Sequence, residues 1–214
     1  MFMLKNFNRV ILYLTLSDTF TWGPFIIIAN LAGLYLAGRL GQDTVSFVGI
    51  GTGIYFFTRA AFQMPIGLLT DKLEDDKDEI LLLALGVVLM GLPFLFYPSI
   101  THPYHYFVLQ FIFGIGVSLN LPNWRKLFAL NLDQGNEGFQ YGFYETVISI
   151  STAAFSALIG YVANLGDFYF DLSMRAAGGI MMLSAVLVLL LFTVKNRRSN
   201  GGKRKSMVVS QVAK

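Results

Sequence analysis

Three ionisable side chains, Asp18, Arg59 and Glu145, lie deep within long apolar stretches, each on a helical stripe of polar and aromatic groups. Asp18 shares its stripe with Thr15, Trp22 and Phe25, Arg59 with Thr52, Phe56 and Gln63, and Glu145 with Tyr141, Ser149 and Thr152. At about 1.5 Å of rise per residue, Asp18 lies roughly 13 Å from Arg9, Arg59 about 18 Å from Asp71, and Glu145 about 12 Å from Glu137. Charges at such depth pair with one another or line a water-filled cavity. Two kinds of chemistry follow. A permanent pair between Arg59 and one acid would hold helices together, whereas a breakable pair would let Asp18 or Glu145 take a proton or meet a substrate charge. Gln110, Gly114 and Ser118 share another helical face predicted to look into the same cavity. The candidates for substrate contact or coupling are therefore Asp18, Trp22, Arg59, Gln63, Gln110 and Glu145.

The elements that hold these residues are membrane spans. Of 214 residues, 55% are hydrophobic and 14% charged, well above and well below the shares in soluble domains. About twenty apolar residues cross a hydrocarbon core of roughly 30 Å as a helix. Six such stretches are predicted, at 9–36, 44–70, 79–97, 104–130, 139–164 and 175–194. The fold class is thus an all-α integral membrane protein, with a six-helix domain over 1–194 and a basic tail over 195–214. The short connections leave no space for a soluble catalytic domain between the spans. The absence of cysteine excludes disulfides, thiolate nucleophiles and cysteine metal sites. No Ser/His/Asp set, metal cluster or phosphate-binding loop appears, so neither an enzyme nor a cofactor is expected. His102 and His105, with Pro103 between them, lack the further ligands a metal needs. Residues 1–8 have no signal cleavage site, and the apolar run after them is long enough to span.

Lysine and arginine resist translocation, and thirteen of the sixteen fall on one side if successive loops alternate: Lys5, Arg9, Lys72, Lys77, Arg125, Lys126 and those in 195–214. That side is expected to be cytoplasmic, in a bacterial-type plasma membrane, with both termini on it. Arg39 and Arg175 fall opposite, and Arg59 inside the second helix. Tyr97, Tyr104 and Tyr106 are expected at the outer interface and Trp124 at the inner one. The basic tail is expected to anchor topology on anionic lipid, not to bind nucleic acid.

Sliding the chain by 93 residues without a gap superposes Ala60-Ala61-Phe62 on Ala153-Ala154-Phe155 and Ile66-Gly67 on Ile159-Gly160. Gly49 then meets Gly142, Gly23 meets Gly116, Asn30 meets Asn123, Asp78 meets Asp171, and Gly86 meets Gly179. Each unit holds three helices, an odd number, so the second enters the membrane from the opposite side: an inverted repeat. The first two helices of each unit carry the polar groups. The third of each is bland and is expected to face lipid. Asn30 and Asn123 are expected to bond neighbouring helices.

Three plus three inverted helices, with Gly67, Asp71 and Lys72 at the end of the second, resemble one half of a major facilitator superfamily transporter. That family's signature loop reads Gly-x-x-x-Asp-(Arg/Lys)-x-Gly-(Arg/Lys)-(Arg/Lys). Its first half matches; in its second half Glu74, Asp75 and Asp76 replace the glycine and the two basic residues, and a lysine comes one position later at Lys77. The fourth-helix Arg-x-x-x-Gly pattern is altered too, with Gln110 standing four residues before Gly114. The fifth-helix glycine-proline antiporter motif is absent, since residues 149–160 contain no proline.

The resemblance implies solute transport by alternating access. Members usually have twelve helices in two halves, so a six-helix chain implies a partner half, most simply a second copy in a parallel homodimer. It also implies that the second and fifth helices form the seam, where Gly49, Gly53, Ser149, Ala153 and Ala157 offer small residues at close-packing spacing. Gly67, Asp71 and Lys72 would form a gating loop, with Asp71 facing the positive end of the partner copy's fifth helix near 138–141. The implied cargo is a small solute, with proton coupling an open alternative, and the implied aromatic cavity wall is Trp22, Phe25, Phe56 and Tyr144. Two other readings stand: the amino-terminal half of a split or truncated twelve-helix transporter, and a non-transporting membrane scaffold.

Overall fold

The computed structural model describes residues 8–72 and 76–194. These form six long helices: α1 (Arg9–Leu40), α2 (Thr44–Lys72), α3 (Asp76–Phe96), α4 (Pro103–Asn131), α5 (Glu137–Ala163) and α6 (Asp167–Leu189). Short 3-10 turns, Tyr97–Ser99 and Leu190–Thr193, follow α3 and α6. All six spans are long and apolar enough to cross a membrane. Lys5, Glu74, Asp75 and the basic tail lie outside the described residues.

Local chemistry sets the boundaries. The Asn8 side chain caps α1 by accepting from the Val10 backbone N–H at 3.1 Å. α1 ends at Gly41, whose φ of 78° suits glycine. Pro103 opens α4 at a position that needs no N–H. Gly166, at φ 138°, lets the chain turn straight into α6. α6 therefore begins at Asp167 rather than at 175, and Arg175 lies inside it, exposed, rather than at its start.

α3 packs against α4 and α6, α4 against α2, and α1 against both α5 and α6. Exchanging the first three helices with the last three leaves these partners unchanged. Glycines permit the closest approaches: a Cβ at Gly116 would lie 2.8 Å from the Met90 backbone nitrogen, and one at Gly91 would lie 2.6 Å from the Gly178 carbonyl oxygen. Across α1 and α6 the Thr21 and Ser184 hydroxyls meet at 2.8 Å.

The bland third helices keep exposed apolar side chains, Leu81 and Leu85 on α3 and Leu183 and Val186 on α6, while their other faces pack inward. Of the most apolar stretch of α3, 56% is buried, the largest share of any span; the figures for α2 and α5 are 11% and 6%. In α3 and α6 one apolar face fills the core and another stays exposed. Tyr97 and Tyr106 are likewise buried core rather than interface residues, whereas Tyr104 is exposed. Trp124 is buried as well and donates from Nε1 to the Leu14 carbonyl at 3.1 Å.

Each end of the bundle has its own polar ties. At the end carrying Arg9 and Lys126, Asn8 Nδ2 donates to the Asn131 carbonyl at 2.6 Å. At the other end Arg39 pairs with Asp171, donates to the Pro98 carbonyl at 3.1 Å and lies over the Tyr35 ring. α1, α3 and α6 are thereby joined.

Candidate functional site: a paired acid, a lysine clamp and an aromatic cavity

The candidate residues fall into four separate places. Asp18, on α1, is 4% exposed and accepts from the Tyr144 hydroxyl of α5 at 2.6 Å. Tyr144 in turn packs against Trp124 and Phe128 of α4. Tyr144 thus belongs to the wall around Asp18.

Arg59, half-buried on α2, donates from Nε to Gln63 Oε1 at 2.9 Å and from Nη1 to the Tyr55 hydroxyl at 3.4 Å, one turn to either side. Among the described residues no carboxylate lies within ion-pair distance of it. This corrects the predicted pairing of Arg59 with Asp18 or Glu145. Helical stripes fix which residues share a face but not which faces meet, and α2 packs on α4 while Asp18 points to α5. Glu145 is exposed on α5.

The third place is the end of α2. Asp71 is 73% exposed and lies 3.4 Å from Lys126 Nζ; Lys126 also sits 2.9 Å from Glu79 and donates to the Thr70 carbonyl at 2.7 Å. Lys72 is exposed and Gly67 half-buried. The lysine of α4 thus clamps α2 to α3. In the sequence Lys126 is one of the same-side basic residues and Glu79 only the first residue of the third span; the meeting of three helix ends pairs them.

The fourth place is a cavity of about 340 Å³ enclosed by α1, α2, α3 and α4. Gln110 lines it, as do Phe25 and Phe56. Trp22 lies behind, edge-on to Phe25 at 5.3 Å. Gln110 donates to the Tyr97 hydroxyl at 3.3 Å. Gly114 and Ser118 leave that face: Gly114 packs against Thr58 and Tyr55, and the Ser118 hydroxyl donates to the Gly114 carbonyl at 2.8 Å. Among the described residues neither asparagine is seen bonding a neighbouring helix: Asn123 Nδ2 donates to the Leu119 carbonyl of its own helix, and Asn30 is exposed.

The small residues Gly49, Gly53, Ser149, Ala153 and Ala157 are all exposed, and a Cβ built on Gly49 or Gly53 would meet nothing within 4 Å. They lie on α2 and α5, the two least buried spans.

Comparison with curated proteins and with solved structures returned no match. The sequence model of the Major Facilitator Superfamily matches residues 10–212. With six helices among the described residues long and apolar enough to cross a membrane, and that match over nearly its whole length, the chain belongs to the major facilitator superfamily, a family of membrane transporters, and is an integral membrane protein.

Proposed function

We propose that the chain moves a small solute by alternating access, with two copies pairing in parallel across the exposed α2 and α5 faces around a midplane site. One observation carries the pairing. Glu145 stands exposed within an apolar span, next to exposed small residues on the same two helices. A charge at the centre of a span costs about 3 kcal/mol or more against lipid, so this face is better suited to a partner and a wet cavity. The packing partners exchanged between the first and last three helices support an inverted repeat, on which such rocking depends.

In this reading the Lys126 clamp and Asp71 lie on the cytoplasmic face, with both termini, in a bacterial-type plasma membrane. Asp71, mostly exposed, is free to swing between Lys126 of its own unit and the α5 amino-terminus of the partner copy. A weak contact of this kind suits a gate broken in each cycle. Asp18 is the coupling carboxyl, Glu145 and Arg59 face the shared cavity, and Gln63 positions Arg59.

Native mass spectrometry of the full-length chain released from nanodiscs tests the pairing. A species at twice 23.8 kDa is expected. A stable monomer overturns the homodimer and leaves a separately supplied second half or a scaffold. Because the chain has no cysteine, Gly53→Cys and Ala153→Cys each introduce a single thiol, and oxidative cross-linking between copies maps the seam. Uptake into liposomes that falls in Arg59→Lys and Asp71→Asn supports transport, and no uptake of any solute screened by the wild type counts against it.

A further inference from the structure

We propose that each six-helix unit carries its own binding site for a neutral, two-ring aromatic solute, in the cavity between α1, α2, α3 and α4. This goes beyond the transport reading, because binding there needs neither a second copy nor turnover.

Protein interiors hold few voids larger than a water molecule. Here α3 and α4 approach to backbone contact at Gly116 and stay in contact through Phe94–Phe113 and Tyr97–Tyr106, yet near the α3–α4 connection about 340 Å³ remains open between them and α1 and α2. An apolar cavity of about 150 Å³ accepts one benzene ring, so this one has room for roughly two fused rings and a substituent.

The lining names the chemistry of the occupant. Phe25 and Phe113 stack at 4.8 Å, Phe94 meets Phe113 edge-on at 5.7 Å, and Tyr55 lies 5.3 Å from Phe113. Such ring faces and edges continue most favourably onto another aromatic ring. Among the described residues no acidic or basic side chain lines the cavity, so an ionised solute would lose its hydration without a counter-charge. One wall is polar: Gln110 donates to the Tyr97 hydroxyl, and Thr52 and the Tyr106 phenol line the same cavity. That wall offers donors and acceptors to a single hydroxyl, carbonyl or ring N–H.

The cavity also has a direction. Phe94, Tyr97, Tyr106 and Phe113 form a buried floor. Ala29, Thr52 and Phe56 line it and are exposed, so its mouth lies between α1 and α2.

The test is equilibrium binding of 2-naphthol to the purified full-length chain in nanodiscs, with empty nanodiscs subtracted. Saturable binding at one site per chain is expected, with naphthalene-2-sulfonate about tenfold weaker or worse. Thr52→Trp and Ala29→Phe place bulk at exposed mouth positions, so the fold is kept, as circular dichroism verifies; each is expected to weaken binding by about tenfold. Uptake no greater than membrane partitioning, saturable binding equal in both variants, or equal binding of the sulfonate overturns the site. Binding without transport of any solute counts against the transport reading alone, and transport of another solute without naphthol binding counts against this site alone.

Discussion

The Lys126 ammonium lies 2.9 Å from the carboxylate of Glu79, a side chain with no exposed surface. The same ammonium reaches the Thr70 carbonyl and the far more exposed Asp71, so one cation at the end of α4 holds α2 and α3 together. Breaking a buried pair from one side is costly, while an exposed partner contributes about 1 kcal/mol or less. Lys126→Met is expected to lower stability by about 3 kcal/mol, and Lys126→Met with Glu79→Leu to recover most of that loss. Asp71→Asn should cost less than about 1 kcal/mol. Unfolding of the three variants in one detergent checks the order; a loss at Asp71 as large as at Lys126 would contradict it.

Gly116 on α4 and Gly49 on α2 differ in what surrounds them. Gly116→Ala pushes a methyl against the Met90 backbone, which cannot move aside as a flexible side chain can, and is expected to destabilise by about 1–3 kcal/mol. Gly49→Ala meets nothing within the chain and adds helix propensity of roughly 1 kcal/mol. Its effect on stability is thus expected to be nil or slightly favourable. Thermal melts of the two variants, run on the monomeric fraction, distinguish these outcomes.

The pattern of apolar runs announced six helices, because the bilayer imposes length and composition on each span separately. The residues that join spans were less legible. Tyr97 and Tyr106 sit where an aromatic belt belongs, yet the approach of α3 to α4 buries both, a property of packing rather than of spacing. Asp18 was visible as a charge at depth, but its partner is a tyrosine hydroxyl. Polar partners of that kind are common along the chain and carry no distinguishing mark. Lys126 and Glu79 lie forty-seven positions apart (126 − 79) on different helices, and nothing in their local sequence tells a buried clamp from two water-facing helix ends.

Asp18 and Tyr144 join α1 to α5 through a single 2.6 Å hydrogen bond. Tyr144→Phe leaves a buried carboxyl without that donor and is expected to cost about 1–3 kcal/mol. Asp18→Asn retains shape but cannot take up a proton. With Asp18 as the coupling group, uptake in Asp18→Asn loses its dependence on external pH, while Tyr144→Phe keeps a pH dependence. Uptake and pH profile both unchanged in Asp18→Asn would remove it from coupling and leave a structural bond.

Glu145 separates a seam from a lipid-facing surface, because its replacement changes stability alone in one setting and transport alone in the other. Against lipid, replacing the charge by leucine relieves a cost of about 3 kcal/mol, so Glu145→Leu would stabilise the chain and leave uptake alone. In a cavity between two copies the carboxylate is hydrated or paired. The same substitution then changes monomer stability by less than about 0.5 kcal/mol and reduces uptake. The second pattern is expected, together with cross-linking of Ala153→Cys between copies, since both residues are exposed on α5 two to three helical turns apart. Stabilisation with undiminished uptake and no cross-link would return α5 to the lipid and require a different seam.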